Sequence, residues 1–177
     1  MAKVTLITGG TRSGKSHFAL QCAEKFNGKR IFIATAQPFD EEMRQRIECH
    51  KRERGDRFTT IEAPFDLTIA LRDIPIDVSV VLIDCLTVWT GNLLYKHEND
   101  LQNITTMFDE FTSALLQLRT NTVIVTNEVG MGVVPENAMA RQFRDLAGSL
   151  NRKVAEIADE VFLCVCGISV QIKEENE

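Results

Sequence analysis

The sequence predicts an α/β fold with a mainly parallel central sheet and helices on both faces. Three observations lead there. Short, nearly continuous apolar runs alternate with helical stretches along the whole chain, as strands buried on both faces do. Two of the helical stretches carry apolar residues at spacings of three and four, the mark of an amphipathic helix. The first apolar run also passes directly into a glycine-rich turn and then a helix.

The elements follow in order. KVTLITGG (3–10) reads as a buried strand, followed by a helix over 14–26. RIFIATA (30–36) is a second strand, and Asp40 to Arg54 a helix. Asp40 is its N-cap, Glu41 and Glu42 suit its positive end, and Gly55 stops it. TTIEAP (59–64), VSVVLIDCL (78–86) and TVIVTNE (122–128) supply three more strands. VFLCVCG with SVQIK (161–173) adds one or two. Leu101, Ile104, Phe108, Phe111, Leu115 and Leu118 form one helical stripe, and Met139, Phe143, Leu146, Leu150, Val154 and Ile157 another. Only the acidic end, KEENE (173–177), looks frayed, and no linker, repeat or low-complexity segment interrupts the rest.

Composition narrows the function. A length of 177 residues suits one domain over 1–177 with a substantial core. The net charge of −5 and pI near 5.3 argue against a general nucleic-acid binder, although residues 44–57 form a local basic patch. No run approaches the roughly 18 apolar residues of a membrane span, and MAKVTLITGG is too short in apolar residues for a signal peptide. A cytoplasmic protein is expected. Cys22, Cys49, Cys85, Cys164 and Cys166 are odd in number and show no CxxC pairing. They read as small buried hydrophobes in a reducing compartment. Cys164 and Cys166 would share a strand face, but they lack partners for a metal site.

GGTRSGKS (9–16) fits G-x-x-x-x-G-K-[ST] in full, with a strand before it and a helix after it. Gly9, Gly10, Thr11, Arg12, Ser13 and Gly14 would turn the backbone so that N–H groups converge on phosphate oxygens. Lys15 would reach the β- and γ-phosphates, and Ser16 would bind Mg²⁺. VVLID (80–84) matches the acidic strand end that accompanies such a loop. Asp84 would hold Mg²⁺ through water or meet a nucleotide hydroxyl. The motif chooses neither base nor reaction. The guanine-reading N-K-x-D is absent, and TNEV (126–129) shares only its asparagine.

IECHKRERG (47–55) places His50 in a run of charge, on the same helix face as Met43 and Ile47. Two readings stand. His50 is a histidine at the rim of the core among solvated charges, or it is a nucleophile toward phosphorus. A neutral imidazole is suited to that attack. Basic neighbours disfavour a second ring proton and stabilise a transferring phosphate. The loop TNEVGMGVVPEN (126–137) follows the fifth strand, where ligands bind in parallel sheets. It reads either as a substrate-facing loop or as a turn shaped by glycine and proline.

GGTRSGKS, IATA, RI..H..R.R, IEAP, LIDCLTVW..NLL and TNEVGMGVVPENAMARQFRDLAG resemble the bifunctional adenosylcobinamide kinase/adenosylcobinamide-phosphate guanylyltransferases of cobalamin synthesis. The resemblance runs from residue 4 to about 170. It implies a RecA-like P-loop NTPase fold, a homotrimer and two reactions. ATP or GTP phosphorylates adenosylcobinamide. GTP then gives GMP to adenosylcobinamide phosphate through a guanylyl-histidine. By position, Gly9 to Ser16 would hold the triphosphate, and Ala34, Thr35 and Ala36 would line the nucleotide. His50 would carry GMP, with Lys51, Arg52, Glu53 and Arg54 around it, and Glu62 and Asp84 would contact GTP. A plain P-loop kinase with a structural His50, and a nucleotide-binding regulatory module without turnover, are the competing readings.

Overall fold

A computed structural model describes residues 2–97 and 100–174. Residues 175–177, within the end expected to fray, lie outside the described residues. Among the described residues, seven strands form one sheet: β1 (Val4–Gly9), β2 (Lys29–Ala34), β3 (Thr59–Glu62), β4 (Val78–Asp84), β5 (Asn121–Val125), β6 (Glu160–Val165) and β7 (Ile168–Lys173). Their order is β3-β2-β4-β5-β1-β6-β7. Every pairing is parallel except the β6–β7 hairpin.

Among the described residues, six α-helices connect the strands: α1 (Lys15–Glu24), α2 (Glu41–Arg54), α3 (Leu67–Arg72), α4 (Leu86–Lys96), α5 (Leu101–Gln117) and α6 (Ala138–Ile157). Side chains alternate across a strand, so each central strand feeds two cores. Leu6, Ile33, Val81, Ile83 and Ile124 face the cluster holding Trp89, Phe108, Phe111, Leu150 and Val154. Ile7, Phe32, Val80, Leu82 and Val123 face the cluster holding Ala19, Leu20 and Ala23 of α1. Trp89 packs 5.2 Å from Phe111 and 5.7 Å from Phe108 between ring centroids, and its indole N–H donates to the Phe65 carbonyl at 2.8 Å. Among the described residues, no helix is long and apolar enough to cross a membrane.

Several expectations change. The fourth strand stops at Asp84, and Leu86 begins α4, which the sequence pattern did not reveal. That helix buries Leu86, Thr87, Trp89, Thr90, Asn92, Leu93 and Leu94, so it has no polar stripe to show a helical period. The strands expected to reach Ala36, Pro64 and Glu128 end at Ala34, Glu62 and Val125. Past those points the backbone still bonds to a neighbouring strand, from Thr126 N to Ile7 O at 3.0 Å and from Glu128 N to Gly9 O at 3.0 Å, but the chain leaves the ladder. Met139, expected on the buried stripe of α6, is 59% exposed in the helix's first turn.

The cysteines also divide. Cys85 and Cys164 are buried, Cys22 is half-buried, and Cys49 and Cys166 are exposed. Cys166 falls in the β6–β7 turn with φ 52°, so it does not share a strand face with Cys164.

Candidate active site

Parallel register sets the strand ends in a row. Glu62 is paired with Ala34, Ala34 with Asp84, and Asp84 with Val125. Val125 is in turn paired with Ile7 of β1, two residues before Gly9. The cleft opens above this row, at the carboxyl edge where open α/β sheets bind ligands.

The phosphate loop continues from β1. Gly9 has φ 146°, and a Cβ there would stand 2.3 Å from the Cys164 carbonyl oxygen of β6. Only glycine lets the loop lie that close to the neighbouring strand. Gly14 caps α1 with φ 93°, and Ser13 O accepts from Gly167 N at 3.1 Å, so the β6–β7 turn braces the loop. Arg12 is left-handed as well, with φ 57°. Lys15 is 6% exposed, and its ammonium donates to the Gly10 carbonyl at 2.5 Å.

Asp84 lies at the foot of this loop. Burial raises its carboxyl above the ordinary range, against the pull of His50, a hydrogen bond from Ser16, and the charges of Lys15 and Arg54. Burial likewise lowers Lys15, against the opposing influence of Cys85, Asp84 and Cys164. The thiol of Cys85, next in the chain, is pushed up to about 12 by burial and by Asp84, so it stays protonated. Among the described residues no three His, Cys, Asp or Glu side chains cluster as a metal site.

Helix α2 forms the opposite wall. Asp40 caps it, accepting from Met43 N at 2.7 Å, and Glu41 and Glu42 occupy its first turn. Its basic residues are largely paired within the helix: Arg46 with Glu42 at 2.7 Å, Arg44 with Glu41 at 3.5 Å and Lys51 with Glu48 at 3.4 Å. Met43, Ile47 and His50 share a face, as their spacing predicts, but none of the three belongs to either core cluster. They line the cleft instead.

The cleft has two compartments. One, of about 510 Å³, is bounded by Thr11 to His17 of the loop, by Met43, Arg46 and Glu53 of α2, and by Asn127. The other, of about 250 Å³, is bounded by Phe32, Ala34, Ala36, Lys51, Arg54 and Glu62. Ile47, His50, Asp84, Cys85 and Val88 line both. His50 thus stands on the wall between them. Its Nδ1 lies 3.4 Å from the Glu53 carboxylate. The ring therefore meets an acid on its own helix, where the sequence led to an expectation of cations.

The remaining predicted residues divide between cleft and scaffold. Lys51 and Arg54 reach the smaller compartment and Glu53 the larger, whereas Arg52 lines neither and donates to the Glu48 carbonyl at 3.3 Å. Arg54 is buried, with its guanidinium 4.2 Å from the Phe32 ring centroid and its Nε donating to Thr60 Oγ1 at 3.2 Å. Ala34 and Ala36 line the cleft, but Thr35 is fully buried behind it. The Thr35 hydroxyl donates to the Cys85 carbonyl and accepts from Cys85 N, both at 2.8 Å, tying the end of β2 to the end of β4. Gly9 and Gly10 shape the loop without lining the hollow. Sequence reasoning missed Phe32, Arg46, Cys49 and Val88 as cleft residues. The helical period that placed Met43, Ile47 and His50 together carried the signal for Arg46, which is one turn before His50.

The fold and the loop define a P-loop NTPase fold of the RecA-like kind. The RadB recombinase shares the fold over 91% of this chain and 73% of its own, with a TM-score of 0.53 at 15% identity. A protein of Pyrococcus horikoshii OT3 shares it over 99% and 88%, with a TM-score of 0.58 at 6% identity. The chain belongs to the cobinamide kinase/cobinamide phosphate guanyltransferase family, whose pattern matches residues 5–172. The bifunctional adenosylcobalamin biosynthesis protein CobU of Escherichia coli strain K12 is 38% identical, covering 95% of this chain and 98% of that protein. CobU of Salmonella typhimurium strain LT2 is 40% identical over 95% and 98%. CobP of Pseudomonas aeruginosa is 36% identical over 96% and 97%.

The two shifted groups carry a stability consequence. With its folded pKa raised, Asp84 holds a proton to higher pH than it does unfolded, so its contribution to stability falls as pH rises through the raised value. With its folded pKa lowered, Lys15 resists protonation in the fold. Both charges therefore cost stability at neutral pH. The double variant Lys15→Met/Asp84→Asn should gain about 1 kcal/mol at pH 7. The gain should shrink as pH falls through the Asp84 titration. Urea unfolding across pH measures the gain and its pH dependence.

Proposed function

We propose that the chain phosphorylates adenosylcobinamide from a nucleoside triphosphate and then transfers GMP from GTP to adenosylcobinamide phosphate. Family membership supports both activities. The observation that carries the second mechanism is the position of His50 on the wall shared by the two compartments.

In the first reaction the P-loop hollow takes the triphosphate tail. Backbone N–H groups of the loop and Lys15 bind the β- and γ-phosphates. The terminal hydroxyl of the aminopropanol arm attacks the γ-phosphorus, and the nucleoside diphosphate leaves. The Ser16 hydroxyl and the Asp84 carboxylate are hydrogen-bonded neighbours at the foot of the hollow. As hard oxygen donors beside a phosphate site, they fit Mg²⁺, which needs one or two protein ligands there and no all-protein cage. When bound, Mg²⁺ would offset phosphate charge.

In the second reaction a ring nitrogen of His50 attacks the α-phosphorus of GTP. The bond to the α,β-bridging oxygen breaks, and pyrophosphate leaves with the electron pair. An oxygen of adenosylcobinamide phosphate then displaces the histidine, forming adenosylcobinamide-GDP. The smaller compartment suits the guanine. Phe32, Ala34 and Val88 give apolar walls, and the Glu62 carboxylate can accept from guanine N1–H and N2–H. The homotrimer implied by the family resemblance is proposed as well; sedimentation equilibrium should return the mass of three chains.

GTP labelled in its α-phosphate should leave an acid-labile, base-stable adduct on the protein. His50→Ala should lose the adduct and pyrophosphate release while still phosphorylating adenosylcobinamide. An adduct of unchanged yield in that variant would remove His50 from the mechanism. Glu62→Gln should lower guanylylation by GTP about tenfold, the effect of one lost charge-assisted hydrogen bond. Initial rates of pyrophosphate release provide that comparison.

A further inference from the structure

Asn127 is the first side chain after β5 to enter the P-loop compartment, where it lines the same hollow as Lys15, Ser16 and Asp84. Its main chain is held on both sides. The amide N–H donates to Thr87 Oγ1 at 2.6 Å, and the carbonyl accepts from Asn151 Nδ2 at 3.0 Å. Thr126 Oγ1 donates to Asn151 Oδ1 at 2.6 Å, and the Thr87 and Thr126 hydroxyls are 3.1 Å apart. Thr126 N and Glu128 N, on either side, bond to the β1 carbonyls of Ile7 and Gly9. Thr87 belongs to α4 and Asn151 to α6. Two helices and a strand thus fix one residue.

The carboxamide of Asn127 makes no hydrogen bond to another described residue. The network is complete around the backbone, and it leaves the half-buried Asn127 lining the phosphate hollow with its side chain unengaged. A carboxamide there offers a directed N–H without adding charge beside Lys15.

We propose that Asn127 is a catalytic residue of the phosphoryl-transfer step, donating from Nδ2 to an oxygen of the γ-phosphoryl group. In that step the attacking hydroxyl oxygen bonds to the γ-phosphorus. The bond from that phosphorus to the β,γ-bridging oxygen breaks, the nucleoside diphosphate leaves with the electron pair, and the hydroxyl proton passes to water. The donated hydrogen bond stabilises charge on the phosphoryl group as it moves. In guanylyl transfer the γ-phosphate belongs to the leaving pyrophosphate and is remote from the reacting phosphorus. Asn127 therefore separates the two activities.

The proposal rests on the reading of the hollow as a triphosphate site, so the wild type is assayed alongside for both products. Asn127→Ala should lower kcat for adenosylcobinamide phosphorylation by about tenfold or more. Its KM for the triphosphate and its rate of His50 guanylylation should stay within about threefold. Kinase kcat within twofold of wild type, or an equal loss in both reactions, overturns the assignment. A wild type that makes no phosphorylated product overturns the underlying reading. If the alanine variant does not fold, the near-isosteric Asn127→Asp decides. Its carboxylate should weaken triphosphate binding more than diphosphate binding, and equal weakening overturns the proposal.

Discussion

The parallel register of β3, β2, β4, β5 and β1 is the constraint on which the cleft depends. It aligns Glu62, Ala34, Asp84 and Val125 across one edge of the sheet. Because side chains alternate along a strand, slipping β4 by one residue would exchange the Val81/Ile83 and Val80/Leu82 faces. Each face fills a different hydrophobic cluster. The two cores therefore hold the register, and the register holds the acidic strand end beside the phosphate loop. The chemistry at the edge draws its precision from apolar packing below it.

Glycine and threonine complete the alignment where the ladder ends. Gly9 allows the loop to pass the β6 carbonyl of Cys164 at a distance that a side chain would forbid. Thr35 bonds twice to Cys85 and so joins the ends of β2 and β4 just below the cleft. Thr87, Thr126 and Asn151 do the same for the end of β5. Short polar side chains serve here because each can satisfy buried backbone groups that have left the sheet.

Helix α2 contributes differently. Its apolar positions are few, its charges pair mainly with one another, and Arg54 is its sole buried residue. It stands as a wall of the cleft with little surface buried in either core. That arrangement gives His50 access to both compartments.

The sequence by itself determined the phosphate loop, the acidic end of β4, the alternation of strands and helices, the N-cap of α2 and the shared face of Met43, Ile47 and His50. Each depends on backbone geometry or on residues within a few positions, so a local pattern carries it. Tertiary structure decided where that shared face points: into the cleft, away from the core. It also placed Thr35 behind the site, divided Lys51, Glu53 and Arg54 between two compartments, and left Arg52 outside both. It buried α4 so fully that no helical stripe remained to be read. Asn127 was legible as a loop residue, but its clamp joins residues 24 to 40 positions apart in the chain. Such surroundings arise only when distant segments pack, and no local spacing encodes them.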